Sequence, residues 1–189
     1  MNDQKEDVKL GRFISLVLRH RPEAAGIALD KNGWAPVGEL IAGMNANGRP
    51  IDREKLERIV RGDDKQRYSF SPDGTKIRAN QGHSVDVDVE IKETAPPKEL
   101  YHGTACKFLG GIMRTGLDRR QRQYVHLSAD IETAIKVGRR HGEPAVLAVD
   151  SRKMAKDGFK FWLSENGVWL CESVPAEYLS LQVKFRQED

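Results

Sequence analysis

Arg67-Tyr68-Ser69-Phe70-Ser71-Pro72-Asp73-Gly74-Thr75-Lys76-Ile77-Arg78-Ala79 reads as a β-hairpin. Pro72 presets φ, the Asp73 carboxylate can accept from its own turn, and Gly74 tolerates positive φ. The flanks, Arg67 to Ser71 and Lys76 to Ala79, have strand character. What precedes this hairpin decides the fold of the first half. Val8 to His20 repeats Leu10, Phe13, Ile14 and Val17 at helical spacing, with Leu18 near the edge of that face and Arg19 pointing away from it. Asp30-Lys31-Asn32-Gly33 is a turn. A second helix starts at Ala35 or Pro36 and runs to about Asn45, with Val37, Leu40, Ile41 and Met44 inward and Asn47-Gly48 as its stop. Asp52 caps a third, with Leu56, Ile59 and Val60 inward and Gly62 closing it. Three helices and then a two-stranded hairpin is the order of a winged helix-turn-helix. That fold commonly meets nucleic acid, but a fold alone does not establish a function.

Past the hairpin, Asn80-Gln81-Gly82-His83-Ser84 is a polar exit run, and Val85 to Ile91 alternates strictly, which predicts a strand with one acidic face. Thr94-Ala95-Pro96-Pro97 is the linker candidate, so two lobes are expected, residues 1–92 and 97–189. In the second lobe, strands are predicted at Glu99 to Thr104, Tyr124 to Leu127, Ala145 to Val149, Phe159 to Leu163, Val168 to Cys171 and Leu179 to Phe185. Helices are predicted from Cys106 to Thr115, with Phe108, Ile112 and Met113 inward and Gly116 at the C-terminus, and from a cap at Ser128 or Asp130 to Arg140. Ser164-Glu165-Asn166-Gly167 is a hairpin turn. The whole is an α+β chain without the regular alternation of a doubly wound fold.

Composition narrows the function classes. The 189 residues are 39% apolar and 31% charged, with no apolar run approaching a membrane span. The polar start, Met1 to Asp7, has no signal-peptide core, so a cytoplasmic location is expected. Cys106 and Cys171 are too few for a disulfide framework or a Cys-rich zinc site. The net charge is only +3, but Arg114, Arg119, Arg120 and Arg122 cluster, as do Lys136, Arg139, Arg140 and His141. Local basic patches at low net charge suit an anionic ligand at a defined site. The histidines at 20, 83, 102, 126 and 141 have no metal-ligand spacing, so no metal is expected. Neither a Gly-x-Gly-x-x-Gly nor a Gly-Lys-Ser/Thr loop is present.

The strongest candidate for chemistry is Leu18-Arg19-His20-Arg21-Pro22. It sets cations side by side where Pro22 stops a helix. Cations at a helix C-terminus also complement the dipole, so this stretch alone does not make a site.

Taken together, seven stretches resemble the RNA 2′-phosphotransferase family (KptA type). They are Phe13 to Glu23, Asn32-Gly33-Trp34, Lys65-Gln66-Arg67-Tyr68, Ile77 to Ser84, Leu100 to Thr104, Arg122 to Ser128, and Asn166 to Leu170, in the family's order. The resemblance implies an N-terminal winged-helix lobe and a C-terminal ADP-ribosyltransferase-like lobe that holds NAD. It implies that an internal RNA 2′-phosphate attacks the nicotinamide ribose, giving an ADP-ribosylated RNA intermediate. Nicotinamide, ADP-ribose 1″,2″-cyclic phosphate and RNA with a free 2′-hydroxyl are the implied products. The catalytic set it implies is Arg19, His20, Arg67 and Arg122. His102, Gly103, Thr104, Ser128, Gly116 and Leu117 are implied at the NAD. Arg78, Gln81 and His83 are either an interlobe hinge or a contact to RNA or NAD. The partner implied is RNA with an internal 2′-phosphate, taken by a monomer with no membrane association. The chemistry fits the residue types: a phosphate is already a nucleophile, so positioning and guanidinium clamps matter more than a strong base. Gly11-Arg12 and Cys171 depart from the family pattern, away from the catalytic set. The alternative is another NAD-dependent ADP-ribosyltransferase acting on nucleic-acid phosphate ends or protein, for which Glu165 and Glu172 are the candidate acids. Trp169 is expected in the core, and Arg119 and Arg120 on a solvated face or against RNA backbone.

Overall fold

The computed structural model describes residues 2–184. It is a mixed α/β chain with six α-helices and several sheets among the described residues, divided into two compact units, Met1–Glu90 and Ile91–Asp189.

In the first unit, α1 (Asn2–Arg19) begins earlier than apolar periodicity alone suggests. Its first turns carry acids that pair with α3 (Arg53–Arg61): Glu6 with Lys55 at 2.8 Å and Asp7 with Arg58 at 3.0 Å. Its buried face is Leu10, Ile14, Val17 and Leu18, with Phe13 half-buried beside it. Each fully buried aliphatic side chain contributes on the order of 2 kcal/mol. Asp52 caps α3 by accepting from Lys55 N, as its position before the helix predicts. The second helix, α2 (Val37–Ala46), starts after Ala35 and Pro36. Those two residues form the short strand β1 (Ala35–Pro36) instead of a first helical turn. The hairpin is β2 (Tyr68–Phe70) and β3 (Lys76–Ala79), and β1 pairs with the free edge of β3 to give an antiparallel order β1-β3-β2. That third strand could not be read locally, because Ala35 finds Ile77 across more than forty residues of chain.

Val85 to Ile91 is not a strand. The alternation survives as burial, with Val89 inside and Asp86 and Asp88 outside, but the backbone pairs with turns and a helix end. Val85 N donates to Arg19 O, Asp88 N to Lys31 O, and Asn32 Nδ2 to Asp88 O. Alternation fixes which side chains face the core and leaves open what the backbone bonds to.

The second unit opens with β4 (Lys92–Glu93). There follow β5 (Leu100–Ala105), α4 (Leu109–Thr115), β6 (Leu117–Asp118), β7 (Val125–Leu127) and α5 (Ile131–Gly138). Then come β8 (Pro144–Val149), α6 (Ser151–Lys156), β9 (Trp162–Leu163), β10 (Trp169–Cys171), β11 (Ser173–Val174) and β12 (Leu179–Lys184). Three antiparallel sheets result, β4-β9-β10-β7, β11-β6 and β12-β8-β5. Strand β8 is central and almost wholly buried, so it reads as a continuous apolar run. The predicted last strand ends at Lys184 here, and Phe185 lies outside the described residues.

Two expectations for this unit are corrected. The helix predicted from Cys106 begins as a 3₁₀ turn, Cys106–Phe108, so the facing residues shift. Phe108 and Met113 are exposed, and Leu109 and Ile112 face the core. Helix α6, capped by Asp150 accepting from Lys153 N, was not predicted, since one and a half turns give too little periodicity to see.

Candidate functional site

Within the first unit, the C-terminus of α1 meets the loop after β3. His20 N still bonds Leu16 O at 2.9 Å, so the helical course carries through His20. Pro22 then turns the chain into a 3₁₀ turn, Pro22–Ala25, closed by Gly26 in the left-handed region at φ 65°. Arg21 points out to Glu23 and takes no part in the cluster. Ser84 fastens the helix end twice: its N–H donates to Arg19 O at 2.9 Å, and its Oγ lies 3.0 Å from His20 Nδ1. Arg19 is expected to point away from the core, and its guanidinium lies against Gly82. A Cβ added at Gly82, which has φ 88°, would sit 3.6 Å from Arg19 Cζ.

Arg67 reaches the same neighbourhood from the base of β2. Asp63 accepts from Arg67 N at 2.7 Å and forms an ion pair with its guanidinium. Asn80, nearly buried, ties the strand base to the loop: its N–H donates to Arg67 O and its Nδ2 to Gln66 O. Tyr68 marks how close Arg19 and Arg67 are. Its hydroxyl donates to Gly11 O at 2.7 Å and lies 2.5 Å from Ser15 Oγ, so Ser15 donates to it. Burial raises the Tyr68 pKa, while Ser15 and the charges of Arg19 and Arg67 oppose that rise. The structure thus brings Arg19, His20 and Arg67 together. Ser84, Asn80, Tyr68 and Asp63, which hold them, were not singled out from sequence, because each acts through a contact distant in the chain.

Arg78 and His83 lie beneath this cluster. Arg78 is 7% exposed, its guanidinium is 4.4 Å from the Trp34 ring centroid, and Nη1 is 3.5 Å from Glu90. His83 is fully buried, and neither ring nitrogen has a hydrogen-bond partner among the described residues. Burial first, then the charges of Arg19, His20 and Arg78, push its pKa down to about 4. Gln81 is half-buried between them in sequence.

The depressed His83 pKa makes a stability prediction. Below about pH 6.5 the unfolded chain binds a proton at this histidine that the folded protein refuses until about pH 4. Stability is therefore expected to fall as pH drops from about 6.5 to about 4, by up to roughly 1.4 kcal/mol per pH unit. Urea unfolding across that range checks it. A His83→Asn protein should show a flatter slope, and equal slopes in both proteins would refute the assignment.

The second unit places its candidates around β5. Tyr101 exchanges both backbone hydrogen bonds with Ser128, at 2.9 and 2.7 Å. Because backbone direction alternates, Gly103 turns its N–H and C=O toward the same edge as Tyr101. Gly103 is glycine for a packing reason too: an added Cβ would collide with the Ala134 carbonyl of α5. Thr104 is buried beside it. His102 Nδ1–H donates to His126 O at 3.3 Å, and burial lowers the His102 pKa. Arg122, exposed, donates to His126 Nδ1 at 3.4 Å. His102, Gly103, Thr104, Ser128 and Arg122 are thus linked through β5, β7 and His126. Gly116 and Leu117 sit apart from these. Gly116 ends α4 at φ 82°, and Leu117 is buried in the core opposite Val174. Trp169 packs against the core as expected, and burial pushes the Cys171 thiol up to about 12.

No group of three or more metal-ligating side chains occurs among the described residues, and no described helix is long and apolar enough to cross a membrane. The profile of the RNA 2′-phosphotransferase, Tpt1 / KptA family matches residues 5–173. A probable RNA 2′-phosphotransferase of Fusobacterium nucleatum is 56% identical over 92% of this chain and 97% of the relative. One of Flavobacterium johnsoniae is 50% identical over 92% and 95%, and one of Escherichia coli 49% over 94% and 97%. On that identity and coverage the chain belongs to the RNA 2′-phosphotransferase, Tpt1 / KptA family, and is a transferase.

Proposed function

We propose that this enzyme transfers an internal 2′-phosphate of RNA to NAD, releasing nicotinamide and leaving a 2′-hydroxyl, as a cytoplasmic monomer. The observation that carries this reading is the gathering of Arg19, His20 and Arg67 at the end of α1, held by Ser84, Asn80 and Asp63. In this reading the first unit is a winged-helix lobe and the second an ADP-ribosyltransferase-like lobe. Two guanidinium groups and an imidazole suit the equatorial oxygens of a phosphoryl group, each fork binding two oxygens at once. Arg122 of the second unit is assigned a part in the chemistry as well.

NAD is assigned to the edge of β5 that carries the Tyr101–Ser128 bridge. The N–H and C=O of one residue, Gly103, aimed at one edge, match the C=O and NH₂ of a carboxamide. His102, Thr104 and Ser128 are assigned beside that contact, and the Gly116-Leu117 backbone further along the dinucleotide. NAD supplies an electrophilic ribose carbon. The protein's part is to hold the phosphate, stabilise its charge and keep water away. Arg78, His83 and Gln81 act from behind, by packing Arg19 and the loop.

Ser84 orients His20 in this scheme. Nδ1 is held by the Ser84 hydroxyl, and Nε2 is assigned to the phosphate. Ser84→Ala is expected to lower kcat about tenfold, in line with loss of one hydrogen bond, while KM for NAD stays unchanged. Ser84→Thr should restore most of the loss; a Ser84→Ala protein with wild-type kcat would contradict it.

The function itself is tested by incubating the protein with NAD and a short RNA carrying one internal 2′-phosphate. Free nicotinamide and loss of the phosphate are expected. Dephosphorylation without NAD, or no reaction with it, would overturn the proposal.

A further inference from the structure

Beside α1 lies a groove of about 670 Å³ in the first unit, walled by Lys9, Arg12, Phe13 and Leu16 on one side and Arg49 and Pro50 on the other. We infer that this groove carries the RNA strand flanking the 2′-phosphorylated nucleotide, an inference that rests on the assignment of His20 to the 2′-phosphate.

Helical spacing supplies the first reason. Lys9, Phe13, Leu16 and His20 stand at i, i+4, i+7 and i+11, one stripe along the helix. The helical bond from His20 N to Leu16 O keeps His20 on that stripe. At about 1.5 Å per residue, Lys9 lies roughly 16 Å from His20 along the axis, a span of a few nucleotides.

Charge supplies the second. The groove holds three cations against one carboxylate, Glu6, and that carboxylate is already paired with Lys55 at 2.8 Å. Among the described residues Lys9 and Arg12 have no carboxylate partner, and both are exposed. A phosphodiester backbone is the polyanion that cations spaced along a helix can follow.

The third is the floor. Arg49 is half-buried, with its Cζ 3.8 Å from the Phe13 ring centroid and Nη1 donating to Asn47 O at 3.0 Å. A guanidinium held over an aromatic ring can offer its far side as a platform on which an unpaired base stacks. An acidic protein segment would use the cations but has no use for that platform, so single-stranded RNA is the occupant.

The test compares a 2′-phosphorylated dinucleotide with the same dinucleotide extended by several residues on its 5′ or its 3′ side. For a protein carrying Lys9→Ala, Arg12→Ala and Arg49→Ala, KM for one extended RNA should rise at least tenfold. Its log–log salt dependence should flatten by about 0.7 per lost phosphate contact, the single-strand value. Turnover of the dinucleotide should not change, which also shows that the variant is folded. RNA binding by a His20→Ala protein without NAD, followed by fluorescence anisotropy, gives a readout independent of turnover. There the three groove substitutions should abolish the advantage of extended over short RNA. If His20→Ala leaves turnover intact, the functional assignment fails whatever the groove does. If length dependence and salt slope match the unsubstituted groove, or if dinucleotide and extended RNA suffer equally, the groove assignment is overturned.

Discussion

A His20→Ala protein is expected to lose between roughly a hundredfold and ten-thousandfold in turnover of a 2′-phosphorylated RNA, the range for a positioned imidazole that holds or moves a proton in the transition state. Its Tm should stay within a degree or two of the parent. His20 is exposed, its Nδ1 bonds the hydroxyl of an exposed Ser84, and its backbone bond to Leu16 is kept by any residue. Arg19→Lys makes the companion measurement. It keeps the charge at the helix end but loses the planar fork, so a loss of about a hundredfold is expected if two phosphate oxygens are clamped there. Arg19 also packs on Gly82, so lysine is the better probe than alanine. Single-turnover assays at saturating NAD separate these effects from NAD binding. Full activity in the His20→Ala protein would remove the first unit from the chemistry.

Gly103→Ala is the largest expected effect on stability. An alanine Cβ there meets the Ala134 carbonyl and comes within 3.0 Å of Gly138 N, both backbone atoms of α5. The collision is reciprocal, since a Cβ on Gly138 would strike the Thr104 carbonyl of β5. Strand and helix approach so closely that neither can carry a side chain at the crossing. Relief requires α5 to move off the sheet, at a cost of about 3 kcal/mol. For a unit of this size that lowers its Tm by on the order of 10 °C. The result also separates two reasons for the glycine. If only close approach of NAD required it, Gly103→Ala would raise KM for NAD and leave unfolding unchanged. Calorimetry without NAD decides between them.

These two positions show what could be read before the fold was known. His20 was legible because its signal is local: an apolar helical period, a run of cations and a proline stop. The caps at Asp52 and Asp130 and the hairpin turn at Pro72-Asp73-Gly74 were legible for the same reason, being set within three or four residues. Family resemblance then tied Arg19 and His20 to Arg67 and Arg122, a link that periodicity could not supply. Gly103 was legible as a glycine in a strand, but its packing role was not, because the atom that forbids a side chain belongs to Ala134, thirty-one positions on.

The sequence by itself determined α1, α2, α3 and α5, the inward faces of the first three, the hairpin and the catalytic candidates. Each rests on short-range spacing or on a motif. Tertiary structure decided the rest. It turned an alternating stretch, Val85 to Ile91, into a packed loop bonded to the end of α1, and it buried His83 under Arg19 and Arg78. It also set the Ser84 hydroxyl against His20 and left Phe108 and Met113 outside. In each case the deciding partner is far off in the chain. A backbone group or a buried ring takes its hydrogen bonds and its dielectric from whatever folding brings beside it.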